Sequence, residues 1–123
     1  MGHFDGRTAV ISGAGQGVGQ GIALALASEG ASVAVLGRTE RKLVATCELL
    51  RERGARAEPF VFDVLDTAGV PAVVEDVAAR FGGIDILVNN AYSGCYGPLL
   101  SLSDEQFRRG FDSGPFAAFA FMK

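Results

Sequence analysis

Two hydrophobic patterns alternate along the chain. Short apolar runs bounded by glycine or polar residues predict strands that are buried on both faces of a sheet. Longer stretches carry apolar residues at helical spacing and predict amphipathic helices. The predicted strands cover residues 7–12, 32–37, 57–64 and 84–89. The predicted helices cover residues 18–29, 39–53 and 67–81, with a fourth beginning near Ser103 and a fifth over 114–122.

Short strands that alternate with longer helices are typical of βαβ units, which have right-handed crossovers and build a parallel sheet. In a doubly wound sheet of the Rossmann type, four such strands take the order 3-2-1-4. Pro59 falls inside the third predicted strand and has no N–H to donate, so this strand belongs at an edge. The order 3-2-1-4 gives it an edge. The sequence therefore predicts one α/β domain over residues 1–123.

Composition and charge exclude several classes of protein. The chain has 123 residues, enough for one domain, and a net charge of −3 with acidic and basic residues interspersed, which argues against nucleic-acid binding. Cys47 and Cys95 match no metal-site or disulfide-framework spacing, which indicates a reducing, cytoplasmic location. The first residues do not have the pattern of a signal peptide, and no apolar run approaches the ~20 residues that span a bilayer. Neither secretion nor a membrane partner is predicted.

Candidate chemistry lies in the first strand-to-helix turn, residues 12–19. A glycine-rich turn of this kind brings backbone N–H groups close to a phosphate, and the positive end of the following helix favours an anion. The common G-x-G-x-x-G spacing fails in every register. The P-loop also fails, because Lys42 and Lys123 are the only lysines. The spacing that matches is T/S-G-x-x-x-G-x-G, with Ser12, Gly13, Gly17 and Gly19.

With this turn, the chain resembles the short-chain dehydrogenase/reductase family. The resemblance covers residues 5–123 and rests on four strand ends in order: the turn itself, Gly37-Arg38, Asp63-Val64, and the stretch from Val88 to Ala91. It implies a dinucleotide-binding Rossmann domain without the later strands of the full family fold. The chain is thus expected to be the N-terminal part of an enzyme about twice as long, which forms a homo-oligomer when complete.

The resemblance also implies which residues bind a nicotinamide cofactor. The carboxylate of Asp63 would accept a hydrogen bond from the adenine amino group with the Val64 backbone alongside, although Asp63 could equally cap its own loop. Asn89 and Asn90 could form a structural amide pair that joins the fourth strand to its neighbours. In the family, the stretch corresponding to Asn90-Ala91 also passes the cofactor ribose, so both interpretations can hold. The complete set of predicted cofactor residues is Ser12, Gly13, Gly15, Gln16, Gly17, Val18, Gly19, Arg38, Asp63, Val64, Asn89, Asn90 and Ala91.

The end of the second strand bears on which cofactor is used. NAD-dependent members carry an Asp or Glu there for the ribose 2′-hydroxyl, whereas this chain has Gly37 followed by Arg38. A missing carboxylate and a neighbouring guanidinium favour a 2′-phosphate. NADP is therefore the predicted cofactor, with Arg41 as a second candidate cation and NAD as the alternative. Gln16 is neutral where some NADP-dependent members carry a basic residue.

The catalytic residues of the family are not found in this sequence. The family protonates the nascent alkoxide with a Tyr assisted by a Lys four residues later, and no Y-x-x-x-K occurs in residues 1–123. No catalytic residue and no metal ligand is predicted, and these 123 residues alone are expected to be inactive. Tyr92 replaces the usual Gly of N-N-A-G and could place a ring near the nicotinamide. Phe111 stands near the place of a proton-relay Asn, and Cys95 and Tyr96 are interpreted as loop or packing residues.

Three functions fit these observations. The first is an oxidoreductase that transfers hydride between NADP(H) and a small carbonyl or alcohol substrate. The second is a non-catalytic dinucleotide-binding module or sensor, because the elements that hold adenosine are present and those for proton transfer are absent. The third is an interaction protein whose open fourth-strand edge pairs with a partner. Binding of NADPH separates the first two functions from the third.

Overall fold

A computed structural model describes residues 2–94 and 96–123 of the chain. None of the helices in this described part is long and apolar enough to cross a membrane. The elements, in chain order, are β1 (Thr8–Ser12), α1 (Gly17–Ser28), β2 (Ser32–Gly37), α2 (Glu40–Glu52), β3 (Ala57–Val61), α3 (Val70–Phe81), β4 (Ile86–Val88), α4 (Asp104–Phe111) and α5 (Ala117–Met122). Short 3-10 turns at Thr67–Gly69 and Leu99–Ser101 precede α3 and α4, and a π turn at Asp112–Phe116 joins α4 to α5.

The four strands form one parallel sheet in the order β3-β2-β1-β4, which confirms the predicted α/β doubly wound fold. At the centre of the sheet, Val10 of β1 pairs with Ala34 of β2 on one side and with Leu87 of β4 on the other. Pro59 pairs opposite Val35 and lies on the edge strand, as predicted. At an edge its missing N–H leaves no ladder bond unmade.

The core has two parts, one on each face of the sheet, because successive strand residues point to opposite faces. On one face, Ile11, Val33 and Val35 pack against α1 and α2, where Leu43, Cys47 and Leu50 are buried. Burial raises the pKa of the Cys47 thiol to about 11, so this cysteine behaves as a small neutral core residue at pH 7. On the other face, the strands pack against α3 and α5 through Val10, Ala34, Leu36, Phe60, Val70, Val77 and Phe121.

The third strand is shorter than predicted. It ends at Val61, which pairs with Gly37, the last residue of β2. Beyond this pair the neighbouring strand offers no further ladder partner: Phe62 makes a last backbone bond to Gly37, and the chain then turns, with Asp66 N–H donating to Asp63 O. The predicted strand over 57–64 therefore includes three residues that belong to the loop after the strand.

The C-terminal part is a single helical segment rather than two separate helices. Ser103 begins it with a capping box, in which the Ser103 hydroxyl accepts the Gln106 N–H at 3.1 Å and the Gln106 side chain accepts the Ser103 N–H at 2.9 Å. Pro115 lies within the π turn. Proline lacks an N–H and crowds the preceding turn of a regular helix, and a wider turn accommodates it. The helix predicted over 114–122 is regular only from Ala117.

Candidate functional site: a cleft at the carboxyl ends of the strands

A cleft of about 380 Å³ opens at the carboxyl ends of the four strands. Its position matches the topological switch point of a doubly wound sheet, where the chain crosses from one side of β1 to the other and ligands bind in such folds. Ser12, Gly19 and Asn89 are the predicted cofactor residues that do not line it. The predicted residues that do line it are Gly13, Gly15, Gln16, Gly17, Val18, Arg38, Asp63, Val64, Asn90 and Ala91.

The floor of the cleft is the glycine turn between β1 and α1. Gly13 and Gly17 have φ values of +65° and +57°, in the left-handed region that favours glycine. Helix α1 begins at Gly17, and Gln16 before it makes no side-chain hydrogen bond to the first turn. The N–H groups at the start of α1 therefore have no side-chain cap, and Gly17 and Val18 present this end of the helix to the cleft.

Ser12 and Gly19 support the turn from behind. The buried Ser12 hydroxyl accepts the N–H groups of Asn90 at 3.1 Å and Ala91 at 3.0 Å, which ties the end of β1 to the chain after β4. The Asn90 side chain donates to Gly13 O at 3.1 Å. A Cβ on Gly19 would overlap Gly13 O and approach Asn90 Nδ2 to 2.5 Å. Only glycine lets α1 pack this closely on the turn.

The wall beside β2 carries the positive charge of the cleft. Arg38 is exposed and lines the cleft directly after Gly37. A Cβ on Gly37 would lie 2.8 Å from Leu43 Cδ2, so a larger residue there would displace a buried leucine. Arg41 is exposed and is not one of the lining residues. The next residue, Lys42, does line the cleft, and its Nζ lies 2.6 Å from Gln16 Oε1.

Lys42 is the lining cation that the sequence analysis missed. A signal was present in helix phase: Lys42 lies four residues before Thr46, so both occupy the same face of α2. Thr46 is fully buried against the glycine turn, where its hydroxyl donates to Ala14 O at 3.1 Å. The face of α2 that carries Thr46 therefore carries Lys42 to the turn and leaves Arg41 outside.

The wall opposite Arg38 is the loop after β3. One Asp63 carboxylate oxygen accepts the Leu65 N–H at 2.9 Å, so the loop-capping interaction exists. The side chain is nevertheless exposed and lines the cleft beside half-buried Val64. Both interpretations of Asp63 therefore fit this geometry, and its adenine contact stays a prediction.

Tyr92 lies where the cleft meets the C-terminal helical segment. Its ring lies against three glycines: a Cβ on Gly94 would overlap the Tyr92 ring, one on Gly110 would be 3.1 Å from the Tyr92 hydroxyl oxygen, and one on Gly114 would be 3.5 Å from Cδ2. Tyr92 also lines an adjoining hollow of about 280 Å³, to which Ser12 and Asn89 contribute. Tyr96 is almost fully exposed, and Cys95 lies outside the described residues.

Ser113 is a second lining residue that the sequence analysis missed. It is buried in the π turn, and its hydroxyl accepts the Ser93 N–H at 2.9 Å. The same hydroxyl lies 2.9 Å from Arg109 O, to which it can donate. It therefore fixes the loop after β4 to the C-terminal helical segment. Phe111 stands near the place of a proton-relay Asn in the family that the chain resembles. It is exposed and does not line the cleft.

Comparison with known proteins identifies the family. The model of the family described as "short chain dehydrogenase" matches residues 7–123, and the chain belongs to this family. It is 40% identical to a 12alpha-hydroxysteroid dehydrogenase of Clostridium sp. over 100% of this chain and 51% of the relative. It is 38% identical to a 2,3-dihydro-2,3-dihydroxybenzoate dehydrogenase of Bacillus subtilis over 88% of this chain and 41% of the relative.

Solved structures agree with this assignment. The L-sorbose reductase of Gluconobacter frateurii, complexed with NADPH and L-sorbose, is 37% identical, with a TM-score of 0.89 over 98% of this chain and 46% of that protein. An NAD+-bound xylitol dehydrogenase is 32% identical, with a TM-score of 0.92 over 98% of this chain and 46% of that protein. The chain thus spans about half the length of the relatives that it matches.

Proposed function

We propose that these residues form the cofactor-binding part of an NADP(H)-dependent oxidoreductase that transfers hydride between NADP(H) and a small carbonyl or alcohol substrate. One observation carries the proposal. A single cleft combines the uncapped glycine turn of β1 and α1 with a guanidinium, and without a carboxylate, at the end of β2. The first feature suits a pyrophosphate and the second suits a ribose 2′-phosphate.

The residues present fit a nicotinamide dinucleotide. The turn would hold the pyrophosphate on the N–H groups of Gly17 and Val18. The adenosine would lie between Arg38 on one wall and Asp63 with Val64 on the other, and the remaining half would extend toward Ala91 and Tyr92. When bound, the nicotinamide supplies or accepts the hydride. This chain's own residues hold and orient it, with the Ser12 hydroxyl keeping the backbone at Asn90 and Ala91 in place.

The preference for NADP over NAD rests on Gly37 and Arg38. A carboxylate at the end of β2 would repel a 2′-phosphate, and a larger side chain at position 37 would displace the buried Leu43. Arg38 offers a forked donor that matches phosphate oxygens. One similar structure is NADPH-bound and another is NAD+-bound, so the preference rests on these two positions.

Turnover requires a group that protonates the nascent alkoxide. The 123 residues contain no Tyr with a Lys four residues later. We therefore propose that hydride transfer takes place in a protein that carries such a Tyr and Lys together with this cleft. These residues alone would bind the dinucleotide without reducing a substrate.

The test is calorimetric titration of NADPH and NADH into the protein expressed from its complete coding sequence. The wild type is expected to bind NADPH more tightly. Arg38→Asp should weaken NADPH about tenfold or more, because it replaces a charge-assisted phosphate contact by repulsion, and should leave NADH equal or stronger. Arg41→Asp is the matched control and should change the NADPH to NADH ratio little. An unchanged ratio in Arg38→Asp contradicts the 2′-phosphate assignment.

The second candidate is a non-catalytic dinucleotide-binding module or sensor. The lack of Y-x-x-x-K within the chain favours it. Assay of the complete protein against ketones and alcohols decides between the candidates, because a sensor binds NADPH but reduces nothing. Failure to bind either dinucleotide would contradict both and favour an interaction protein.

A further inference from the structure

Tyr92 lies where three hollow spaces at the carboxyl ends of the strands meet. It lines the cleft described above, the adjoining hollow of about 280 Å³, and a third hollow of about 340 Å³ beside α4. Among the described lining residues it is the one that all three spaces share. Its side chain is 58% exposed, although a phenol ring is largely apolar. Holding the dinucleotide gives this exposed ring no task.

The ring is held between α4 and the loop after β4. Gly110 and Gly114 leave room for it on the helical side, because a Cβ would lie 3.1 Å from the tyrosine hydroxyl oxygen at the first position and 3.5 Å from Cδ2 at the second. On the loop side, a Cβ on Gly94 would overlap the ring. The three glycines therefore form a slot that fits an aromatic ring at position 92.

The backbone next to the ring is fixed to the same helical segment. The buried Ser113 hydroxyl accepts the Ser93 N–H at 2.9 Å, and Arg109 Nε donates to Ser93 Oγ at 3.1 Å. With its ring in a slot and its neighbour anchored, Tyr92 has little freedom to move. Its exposed face is therefore a preformed wall, which costs little ordering entropy when a ligand binds against it.

The hollow beside α4 is lined mainly by apolar side chains. Phe107 and Phe111 lie one helical turn apart with their ring centroids separated by 5.1 Å, and each is about half exposed. Leu102 and Pro115 complete the apolar lining. Gln106 also lines the hollow, but its side-chain oxygen is already used in the capping box of α4. Hydroxyl groups of a ligand would find few partners here, whereas an apolar ring would be removed from water.

We propose that Tyr92 is a specificity-determining residue and that the hollow beside α4 binds the apolar, ring-shaped body of the substrate. The inference rests on the proposed function and names its substrate class, a ketone or alcohol whose reacting carbon carries an aromatic or alicyclic group. The carbonyl would lie on the cleft side of the Tyr92 ring, and the body on the side of the hollow. The hollow, about 340 Å³, is within the usual range of small-molecule sites, roughly 300–1,000 Å³. Aromatic rings attract one another in offset and edge-to-face arrangements, so an aryl group should gain most.

Three methyl ketones isolate the body of the substrate. Butanone, cyclohexyl methyl ketone and acetophenone present the same acetyl group with a small, an alicyclic and an aromatic body. Their dissociation constants are measured by ligand-observed NMR titration of the protein expressed from its complete coding sequence and saturated with NADP+. A ketone and NADP+ are both oxidised, so binding is measured without turnover. The affinity of each variant for NADPH is measured first, which ensures that the cofactor site is filled.

The wild type should bind acetophenone at least about tenfold more tightly than butanone, with cyclohexyl methyl ketone between them. Tyr92→Ala should weaken acetophenone about tenfold and butanone less than about twofold. Tyr92→Phe should retain most of the affinity, because the ring makes the contact. Tyr96→Ala is the matched control and should behave as the wild type, since Tyr96 is almost fully exposed and is not among the described lining residues of the three spaces.

Gly110→Ala tests the slot without changing the tyrosine. The added Cβ would be 3.1 Å from the Tyr92 hydroxyl oxygen, which is too close, but 3.8 Å from Cζ, which is an ordinary contact. Gly110→Ala should therefore displace the ring and weaken acetophenone about threefold in the wild type, and should have little effect in Tyr92→Phe, which lacks the hydroxyl. A general effect of alanine on α4 would be the same in both backgrounds.

Several results would overturn the proposal. Equal losses for acetophenone and butanone in Tyr92→Ala would mean that Tyr92 supports the fold, and an unchanged preference for acetophenone would mean that it does not contact the substrate. If Tyr92→Ala does not fold, as circular dichroism would show, an equal effect of Gly110→Ala with and without the hydroxyl contradicts the proposal instead. A wild type that binds NADPH but does not prefer the ring-bearing ketones would overturn this inference alone. A wild type that does not bind NADPH would overturn the proposed function itself.

Discussion

At the scale of residues, the Ser12 hydroxyl links two strand ends that each contribute to the cleft. It accepts two backbone N–H groups from the chain after β4, and the Asn90 side chain returns a bond to Gly13. Buried N–H groups that lose their acceptor cost about 1–3 kcal/mol each. This is a physical reason for a hydroxyl residue at the end of an otherwise apolar strand. The shape of the cleft thus depends on the Ser12 side chain, which does not line it.

Gly19 and Gly21 provide a matched test of close packing behind the turn. Gly19→Ala should destabilise the protein by about 2 kcal/mol or more and weaken dinucleotide binding, because its Cβ would overlap Gly13 O. Gly21→Ala should stabilise it by about 0.5–1 kcal/mol, because position 21 is exposed in α1 and nothing lies within 4 Å of the added atom. Urea unfolding measures both. Equal effects of the two substitutions would contradict the assigned role of Gly19.

The site residues that belong to the glycine turn or follow a strand end could be predicted from the sequence. The glycine spacing gave the turn, and the strand ends gave Arg38, Asp63 and Asn90. The same motifs do not indicate which of the neighbouring residues Arg41 and Lys42 lines the cleft. That depends on which face of α2 is turned toward the glycine turn. This orientation of α2 depends on Thr46 packing against Ala14, which is a tertiary contact.

At the scale of elements, strand ends and helix joins were the least predictable features. The hydrophobic run continues past Val61, but β3 ends there because β2 ends at Gly37. Gly114-Pro115 suggested a new helix start, whereas the π turn carries the helix through the proline. The start at Ser103 was predictable, because its capping box is local. Local hydrogen bonding can be predicted from neighbouring residues, and pairing with a distant strand cannot.

The C-terminal end of α1 makes a pH-dependent contact with the N-terminal turn. The Glu29 carboxylate accepts the His3 backbone N–H at 3.0 Å and lies 2.8 Å from His3 Nδ1. The backbone bond first, and the side-chain bond second, lower the pKa of Glu29 below its ordinary value of 4.5. A lowered pKa in the folded state means that the stabilisation is present above pH 4.5 and is lost as the pH falls below it.

The expected outcome is a stability difference between wild type and Glu29→Gln that shrinks with acid. The difference should decline below about pH 4.5, where the wild-type carboxylate protonates. Urea unfolding at half-unit pH steps measures it. Glu48→Gln, at an exposed position of α2, is the control and should show no such trend. A difference that grows as the pH falls below about 4.5 would contradict the assigned hydrogen bonds.

At the scale of the whole molecule, the strand order follows from crossover rules, while the packing of the last helix does not. Alternating strands and helices, with Pro59 at an edge, were enough to predict 3-2-1-4. Residues 116–122 are apolar on nearly every side, so their pattern alone does not indicate which face meets the sheet. The structure buries Phe121 and leaves Phe119 half exposed. Phe121 meets Phe62, beyond the end of β3, edge to face at 5.9 Å between ring centroids.

These two phenylalanines test whether the C-terminal helix unfolds together with the sheet. Phe121 is 9% exposed and belongs to the core on the α3 face, whereas Phe119 is 50% exposed and contacts Lys123. Phe121→Ala should lower the free energy of unfolding by about 3 kcal/mol, the usual cost of emptying a buried aromatic site. Phe119→Ala should change it by about 0.5 kcal/mol or less. The free energies come from urea unfolding followed both by far-ultraviolet circular dichroism and by hydrogen exchange in β1. If Phe121→Ala exposed the helix to exchange but left the protection of β1 unchanged, the helix would open separately from the sheet, and the α3 face of the core would not be a single cooperative unit.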